Sequence, residues 1–385
     1  MTTGPRPSNR PGLAEAASPI REPLRVAIVG SGGIAPAHAD AYAATGRTQL
    51  VGVVDVVPDR ARQFADRFGC PRHYPSVAEL LSDQAVDVVS VTTPPGTHTE
   101  IAVQILQTGT SLLLEKPPCL TLADLDVITD AEARSAGSVY AVFQHRHGSG
   151  ARRAKRLLST GALGMSQVAL CETLWFRPES YFDPDWRGTW VGEGGGPTLG
   201  HGIHQIDLLL HLLGPWSSMN ALAARVARPV EFEDVSLAMV TFHDGSVGSV
   251  VNSLLSPNEL SRIRIDTTAG TLEVNHLYGY RDTDWTWTAA PDGDTDAWAR
   301  SAGDDVPSSH AAQIGRLVDD LLADRRHETT LASARPTMEF VTGLYASALL
   351  GQPVTRTDLT PGHPFYDDLS GGLAKATISQ RLAYG

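Results

Sequence analysis

Lys116 stands in the string Glu115-Lys116-Pro117-Pro118, directly after the apolar run Ser111-Leu112-Leu113-Leu114. A lysine is usually surface decoration, but of the 31 basic residues in this chain only Lys116, Lys155 and Lys375 are lysine. Arginine serves wherever a solvated positive charge is enough. A lysine at a strand end therefore points to a compact ammonium that changes its pKa on burial and donates to a substrate oxygen. The two prolines fix the exit of the backbone. A second group of titratable residues lies in Gly194-Gly195-Gly196-Pro197-Thr198-Leu199-Gly200-His201-Gly202-Ile203-His204-Gln205-Ile206-Asp207. On a helix, His204, Asp207 and His211 share one stripe, and Ile203, Ile206, Leu210 and Leu213 form an adjacent apolar face. One imidazole then faces a pocket while the helix packs on a core. Oxidising an alcohol by hydride loss needs a carrier for the hydroxyl proton, and histidine titrates in the right range. Structural helix histidines are the competing reading. A metal held by His201, His204, Asp207 and His211 would not follow the H-E-x-x-H pattern, and no metal is expected.

Upstream, Trp186-Arg187-Gly188-Thr189-Trp190 joins flat aromatic faces to a forked donor, the equipment for holding a carbohydrate ring and its hydroxyls. Trp190 serves equally well as a packing element. Arg146, at the end of a strand candidate, joins Trp186, Arg187 and His204 as a candidate substrate residue.

The hydride acceptor is implied by Gly30-Ser31-Gly32-Gly33-Ile34-Ala35, a G-x-G-x-x-A string that ends one strand candidate and opens a helix. Its glycines let the backbone turn and approach a pyrophosphate, while the helix N-terminus supplies amide donors. Asp55 closes the next strand 25 residues after Gly30, where a carboxylate accepts from both adenosine ribose hydroxyls. A 2′-phosphate would be repelled there, and Val56, Val57 and Pro58 bring no compensating cation, so NAD is expected over NADP. Arg60 is the nearest cation able to reach across. Thr92, Thr93 and Pro94 lie at the carboxyl edge of a later strand, where open α/β sheets bind ligands. With His98, Glu115 and Lys116 they complete the candidate cofactor set, although His98 also reads as a helix start.

These groups need a scaffold. From Leu24 to Arg146 short apolar runs (24–30, 49–56, 86–94, 111–117 and 139–146) alternate with amphipathic stretches that begin near Gly33, Pro58, His98 and Thr121. That alternation predicts a parallel, doubly wound α/β sheet. After Arg146 comes a basic amphipathic helix (149–164), then β-rich runs at 166–176, 236–255 and 262–274 with turn signals at His243-Asp244-Gly245 and Thr268-Ala269-Gly270. A helix over 197–214 and another over 309–325 back an open, mainly antiparallel sheet, and 291–309 reads as an acidic loop. The expected division is an arm at 1–23 with no continuous apolar segment, a cofactor domain at 24–146, a substrate and assembly domain at 147–361 and a tail at 362–385.

Composition sets outer limits. A net charge of -12 argues against a nucleic-acid binder, and no apolar run is long enough to cross a bilayer. Cys70, Cys119 and Cys171 are an odd set without metal spacing, which suits a reducing compartment, so a cytoplasmic protein with a small-molecule partner is expected.

Taken in order, the Gly-rich turn, the Thr93–His98 string, Glu115-Lys116-Pro117, the 143–147 string, the Trp186–Trp190 string and the Gly194–Asp207 string resemble the Gfo/Idh/MocA family over residues 24 to 355. The resemblance implies an N-terminal Rossmann domain, a second α/β domain whose open sheet makes a homodimer or homotetramer, and NAD-dependent hydride transfer on a sugar or cyclitol. It implies catalytic roles for Lys116 and His204. Many members carry an aspartate four residues before that histidine, where this chain has Gly200; His201 is the candidate to take over, with Asp207 as an orienting group. Two rival activities fit the same resemblance: an NAD-using glycosidase or other redox-neutral enzyme, and a non-catalytic sensor of NAD and sugar.

Overall fold

A computed structural model describes residues 23–291, 295, 298 and 305–383. Strands β1 (Leu24–Val29), β2 (Thr48–Val54), β3 (His73–Tyr74), β4 (Val88–Val91), β5 (Ser111–Leu114) and β6 (Val139–Ala141) form a parallel sheet in the order β3-β2-β1-β4-β5-β6. The crossovers are α1 (Ala35–Ala44), α2 (Pro58–Phe68), α3 (Val77–Asp83), α4 (His98–Leu106) and α5 (Leu122–Ala133). Ser76 and Thr121 cap α3 and α5 through Glu79 N and Asp124 N, and proline occupies the first turn of α2, as their local sequences favour. The strand order reverses between β1 and β4, and the crevice at the carboxyl ends of that pair is where such sheets bind ligands.

The run expected as a strand over 139–146 stops at Ala141, and Gln144–His147 form a 3-10 turn instead. The chain then enters α6 (Ser149–Ser159), β7 (Ser166–Phe176), the short α7 (Trp190–Glu193) and α8 (Ile203–Leu213), the last preceded by a π-helical turn over Thr198–Gly202. Strands β8 (Trp216–Ala224), β9 (Val235–Phe242), β10 (Val247–Ser253), β11 (Leu255–Thr267), β12 (Gly270–Asn275), β13 (Trp285–Ala289) and β14 (Val354–Thr355) join β7 in one sheet of order β13-β12-β11-β7-β10-β9-β8-β14. Among the described strands of this sheet β7 and β10 pair in parallel and the other neighbours are antiparallel.

Two helices close the architecture, α9 (His310–Leu322) and α10 (Leu331–Leu350), followed by α11 (Lys375–Leu382). Although α9 falls inside the expected second domain, its Ile314, Leu317, Val318 and Leu321 pack with Val26, Val88 and Leu113 of the first sheet. The physical cause is that one face of β1, β4 and β5 would otherwise expose apolar side chains, which a parallel sheet must bury on both faces. The segment expected as a tail is also packed, with Ile378 and Leu382 in the core. The arm expected over 1–23 and most of the loop expected over 291–309 lie outside the described residues. In the second sheet one face carries Leu222, Leu237, Met239 and Val247 at 42 to 66% exposure, alternating along β9 with buried Ala238 and Val240. No described helix is long and apolar enough to cross a membrane.

Candidate active site

At the end of β1, Gly30 has φ +92, and an added Cβ would lie 2.9 Å from both Thr93 Cγ2 and Thr93 N. Thr92 Oγ1 donates to Gly30 O at 2.6 Å, so the loops after β1 and β4 are locked edge to edge. At Gly32 and Gly33, by contrast, an added Cβ would meet nothing within 4 Å. This leaves open space before the N-terminus of α1, whose first turn has no side-chain cap. Such a cradle suits a pyrophosphate. Asp55 borders it: Oδ2 accepts from Ser31 N at 2.9 Å and Ser31 Oγ at 2.6 Å, and Oδ1 accepts from Val57 N at 2.9 Å. Burial would raise this carboxyl, but those donors and Arg60 hold it below the usual range. Ile34 and Pro94 are exposed beside the cradle, and Thr93 is partly so. The residues present therefore fit a dinucleotide.

Two members of the expected cofactor set are committed elsewhere. His98 is buried, with Nε2 2.9 Å from Thr93 O and Nδ1 3.0 Å from Pro117 O, so it ties the two loops together. Glu115 is buried under the sheet edge and accepts from His38, His310 and the backbone of Lys116. Neither side chain is left to face a cofactor.

Lys116 reaches across the cleft and donates from Nζ to Gly200 O at 2.8 Å. Burial lowers its pKa, while the Glu115 carboxylate works in the opposite direction. Gly200 lies in the π-helical turn, and a Cβ there would meet nothing within 4 Å, so space remains beside the ammonium. That turn is braced from below by buried Glu233, which accepts from Gly196 N, Thr198 N, Thr198 Oγ1 at 2.8 Å and Tyr345 Oη at 2.9 Å. Burial pushes the Glu233 carboxyl up to about 7. Gly196 is required by this brace, because a Cβ would lie 2.0 Å from Glu233 O.

Around Lys116 stand three buried imidazoles. His204 has an unpartnered Nδ1, and its ring meets His145 at 5.3 Å and Tyr278 at 5.5 Å, both edge-on. His145 Nδ1 lies 2.9 Å from Ser308 Oγ, and its ring stacks on Tyr280 at 4.6 Å. His201 lies against Trp175 at 5.1 Å, with Nε2 3.5 Å from Tyr181 Oη. Burial, aided by the Lys116 charge, takes His201 and His204 well below the ordinary histidine range and His145 down to about 3. This corrects the expectation that His204 titrates near neutrality: in this setting it is a neutral ring there.

Arg146 and Asp207 are not on the cleft either. Arg146 Nε donates to Asp207 Oδ2 at 2.7 Å, Nη2 to Asp207 Oδ1, and Nη2 also to Ser333 O at 3.0 Å, while Thr337 Oγ1 donates to Asp207 at 2.9 Å. Both are buried, so the guanidinium expected for substrate and the carboxylate expected to orient His204 satisfy each other. The expected helix stripe divides accordingly: His204 faces Lys116, and His211 lies toward Arg146 and Lys155, down to about 3 through burial. Arg187 does reach the cleft side. Its guanidinium lies 4.0 Å from the Tyr181 ring centroid and 4.3 Å from that of Trp186, and Nη1 donates to Glu193 at 2.9 Å. Trp186 is exposed at the rim, whereas Trp190 packs on Phe232 and Tyr345.

Sequence reasoning assigned no role to His145, Tyr278 or His310. His145 sits inside the 143–147 string, and its place after an apolar run was a usable signal. His310 opens a helix whose apolar periodicity masks any other purpose, and Tyr278 lies in a loop after β12; neither carries a local signal.

Comparison with known proteins is consistent with this geometry. The model of an oxidoreductase family with an NAD-binding Rossmann fold matches residues 24–143, and that of the GFO/IDH/MocA C-terminal domain matches residues 151–273. A putative UDP-kanosamine synthase oxidoreductase subunit of Amycolatopsis mediterranei is 28% identical over 78% of this chain and 88% of its own. A UDP-N-acetylglucosamine 3-dehydrogenase of Acidithiobacillus ferrooxidans is 30% identical over 63% of this chain and 71% of its own. Among solved structures, the WlbA dehydrogenase of Bordetella pertussis, in complex with NADH and UDP-GlcNAcA, superposes with a TM-score of 0.78 at 25% identity, covering 86% of this chain and 98% of that one.

Proposed function

The chain belongs to the Gfo/Idh/MocA family of oxidoreductases, and on that premise we propose that it moves a hydride between NAD and a secondary alcohol carbon of a sugar, cyclitol or sugar derivative, with Lys116 and His204 at the reacting hydroxyl. The observation that carries the proposal is one ammonium set among neutral imidazoles beside an open dinucleotide cradle. A neutral imidazole offers one donor and one acceptor, as a hydroxyl does, so such a lining suits a polyol. Bound across the Gly30–Ala35 turn and Asp55, NAD supplies the acceptor for the hydride. The Lys116 ammonium donates to the substrate oxygen and stabilises the negative charge that develops there as the C–H bond breaks. His204, neutral because it is buried, accepts the hydroxyl proton. Arg187 and Trp186 at the rim suit the outer hydroxyls and apolar face of a sugar ring.

The test is direct: the protein is mixed with NAD and with D-glucose, a methyl glucoside, myo-inositol or UDP-N-acetylglucosamine, and the near-ultraviolet absorbance of NADH is followed. Net NADH with at least one of them, lost in Lys116→Ala, is the expected result. Sugar conversion without net NADH would replace it by the redox-neutral reading, and binding without conversion by the sensor reading. For assembly, we propose that the exposed face bearing Leu222, Leu237, Met239 and Val247 is buried in a homodimer or homotetramer. A monomer in sedimentation velocity at micromolar concentration overturns that part.

A further inference from the structure

Beneath Lys116 lies a group that the reaction scheme does not use. Glu115 Oε1 accepts from His38 Nε2 at 2.9 Å and from His310 Nε2 at 2.8 Å, and Glu115 Oε2 accepts from Lys116 N at 3.0 Å. His38 comes from α1, Glu115 from the end of β5, and His310 from the first turn of α9, so three elements far apart in sequence converge on one carboxylate. Burial would push Glu115 up, but the donors from His310 and His38 outweigh it and hold the carboxyl well below its ordinary range. His38 is kept neutral by burial, against the pull of Glu115. Its Nε2 then carries the proton facing the carboxylate, and its Nδ1 must accept from Ser90 Oγ, 3.1 Å away. Ser90 Oγ in turn accepts a hydrogen bond from the Tyr42 hydroxyl at 2.9 Å, so the buried chain is fully satisfied. The three ligand atoms lie close enough together to suggest a metal. Contacts of 2.8 and 2.9 Å are nevertheless those of hydrogen bonds. A tetrahedral metal about 2.0 to 2.1 Å from each ligand would spread these atoms to ~3.3 Å.

We propose that Glu115 and His310 are positioning residues of the active site: His310, together with His38, clamps Glu115 as an anion, which fixes the Lys116 backbone and sustains the charge of the Lys116 ammonium. The proposal rests on the reading of Lys116 given above and extends it to a helix that sequence order assigns to the other domain. Glu115 is the counter-charge that supports the Lys116 ammonium most strongly, while Arg187 and Arg177 work against it and Glu193 adds a smaller support. His145, His201 and His204 surround Lys116 as neutral rings, and His98 and Tyr278 are the other titratable groups that feel Glu115.

Because the chain has only three lysines, each can be followed separately. Reductive methylation with ¹³C-formaldehyde labels Lys116, Lys155, Lys375 and the N-terminus, and Lys116→Arg identifies the Lys116 signal. Titrated by NMR in the full chain without sugar, Lys116 is expected to lose its proton about one pKa unit or more lower in Glu115→Gln than in the unmodified protein. His310→Ala is expected to move it in the same direction by less, and His310→Gln, which keeps a donor, to restore it. If Glu115→Gln does not fold, His310→Ala, at the partly exposed end of the clamp, carries the test. An unmoved Lys116 signal in the folded variants overturns the proposal. So does one equivalent of bound metal in the purified protein that is lost with His310→Ala. The titration needs no substrate: a shifted Lys116 in a protein that forms no NADH with any tested sugar retains this inference and removes the dehydrogenase reading.

Discussion

Asp207→Ala is expected to damage stability before it damages chemistry. The Asp207 carboxylate takes two hydrogen bonds from Arg146 and one from Thr337, and the side chains of Arg146 and Asp207 are 5% and 1% exposed. Removing the carboxylate leaves a buried guanidinium with Ser333 O as a remaining partner, a change that costs about 3 to 5 kcal/mol. For an unfolding unit of roughly 150 to 250 residues, about 2 to 4 °C is lost per kcal/mol, so the melting temperature falls by ~6 to 20 °C. Arg146→Met combined with Asp207→Leu removes both charges and returns most of the loss, leaving about 1 to 2 kcal/mol from the stranded Thr337 hydroxyl and imperfect packing. Differential scanning fluorimetry on the parent, Asp207→Ala, Arg146→Met, Asp207→Leu and the double variant, with NADH formation measured below each transition, separates the possibilities. If Asp207→Ala melts within ~2 °C of the parent, or if the double variant is worse than either of its single components, the pair is not the buried brace described here. A normal melting temperature with lost turnover would return Asp207 to the chemistry.

The site itself yields three further expectations. Lys116→Ala should lower turnover by about 10² to 10³ while leaving NAD affinity, measured by fluorescence quenching, nearly unchanged. Because His204 is held well below its ordinary pKa, its base form persists as pH falls through neutrality and is lost only in stronger acid. The pH profile of kcat/KM should therefore show no inflection between pH ~6 and 8 assignable to His204; an inflection there that His204→Gln removes sinks that assignment. Asp55→Ser with Val56→Arg should weaken NAD and favour NADP, the pair of dissociation constants changing order or approaching by about tenfold or more; unchanged preference would mean that Asp55 does not meet the ribose.

The alternation of apolar runs and helices up to Arg146 determined the parallel sheet, because strands covered on both faces have no freedom to be polar. The Gly30–Ala35 string and Asp55 were legible for a related reason: a backbone turn at which an added Cβ would lie 2.9 Å from Thr93 tolerates no side chain, and such a demand is written in one residue type. Lys116 was legible through its rarity in an arginine-using chain. What local sequence could not carry was partnership. Whether Arg146 meets a substrate or Asp207, whether Glu115 lines a cofactor or is clamped by His38 and His310, and whether α9 covers the first sheet or the second are each decided by residues far apart in sequence, 195 positions in the case of Glu115 and His310. The same holds for His204. Its type gave a titrating proton carrier, but its protonation state belongs to the desolvated cleft and to the Lys116 charge beside it, and a cleft exists only once β5, the 3-10 turn at Gln144–His147 and α8 have closed around it.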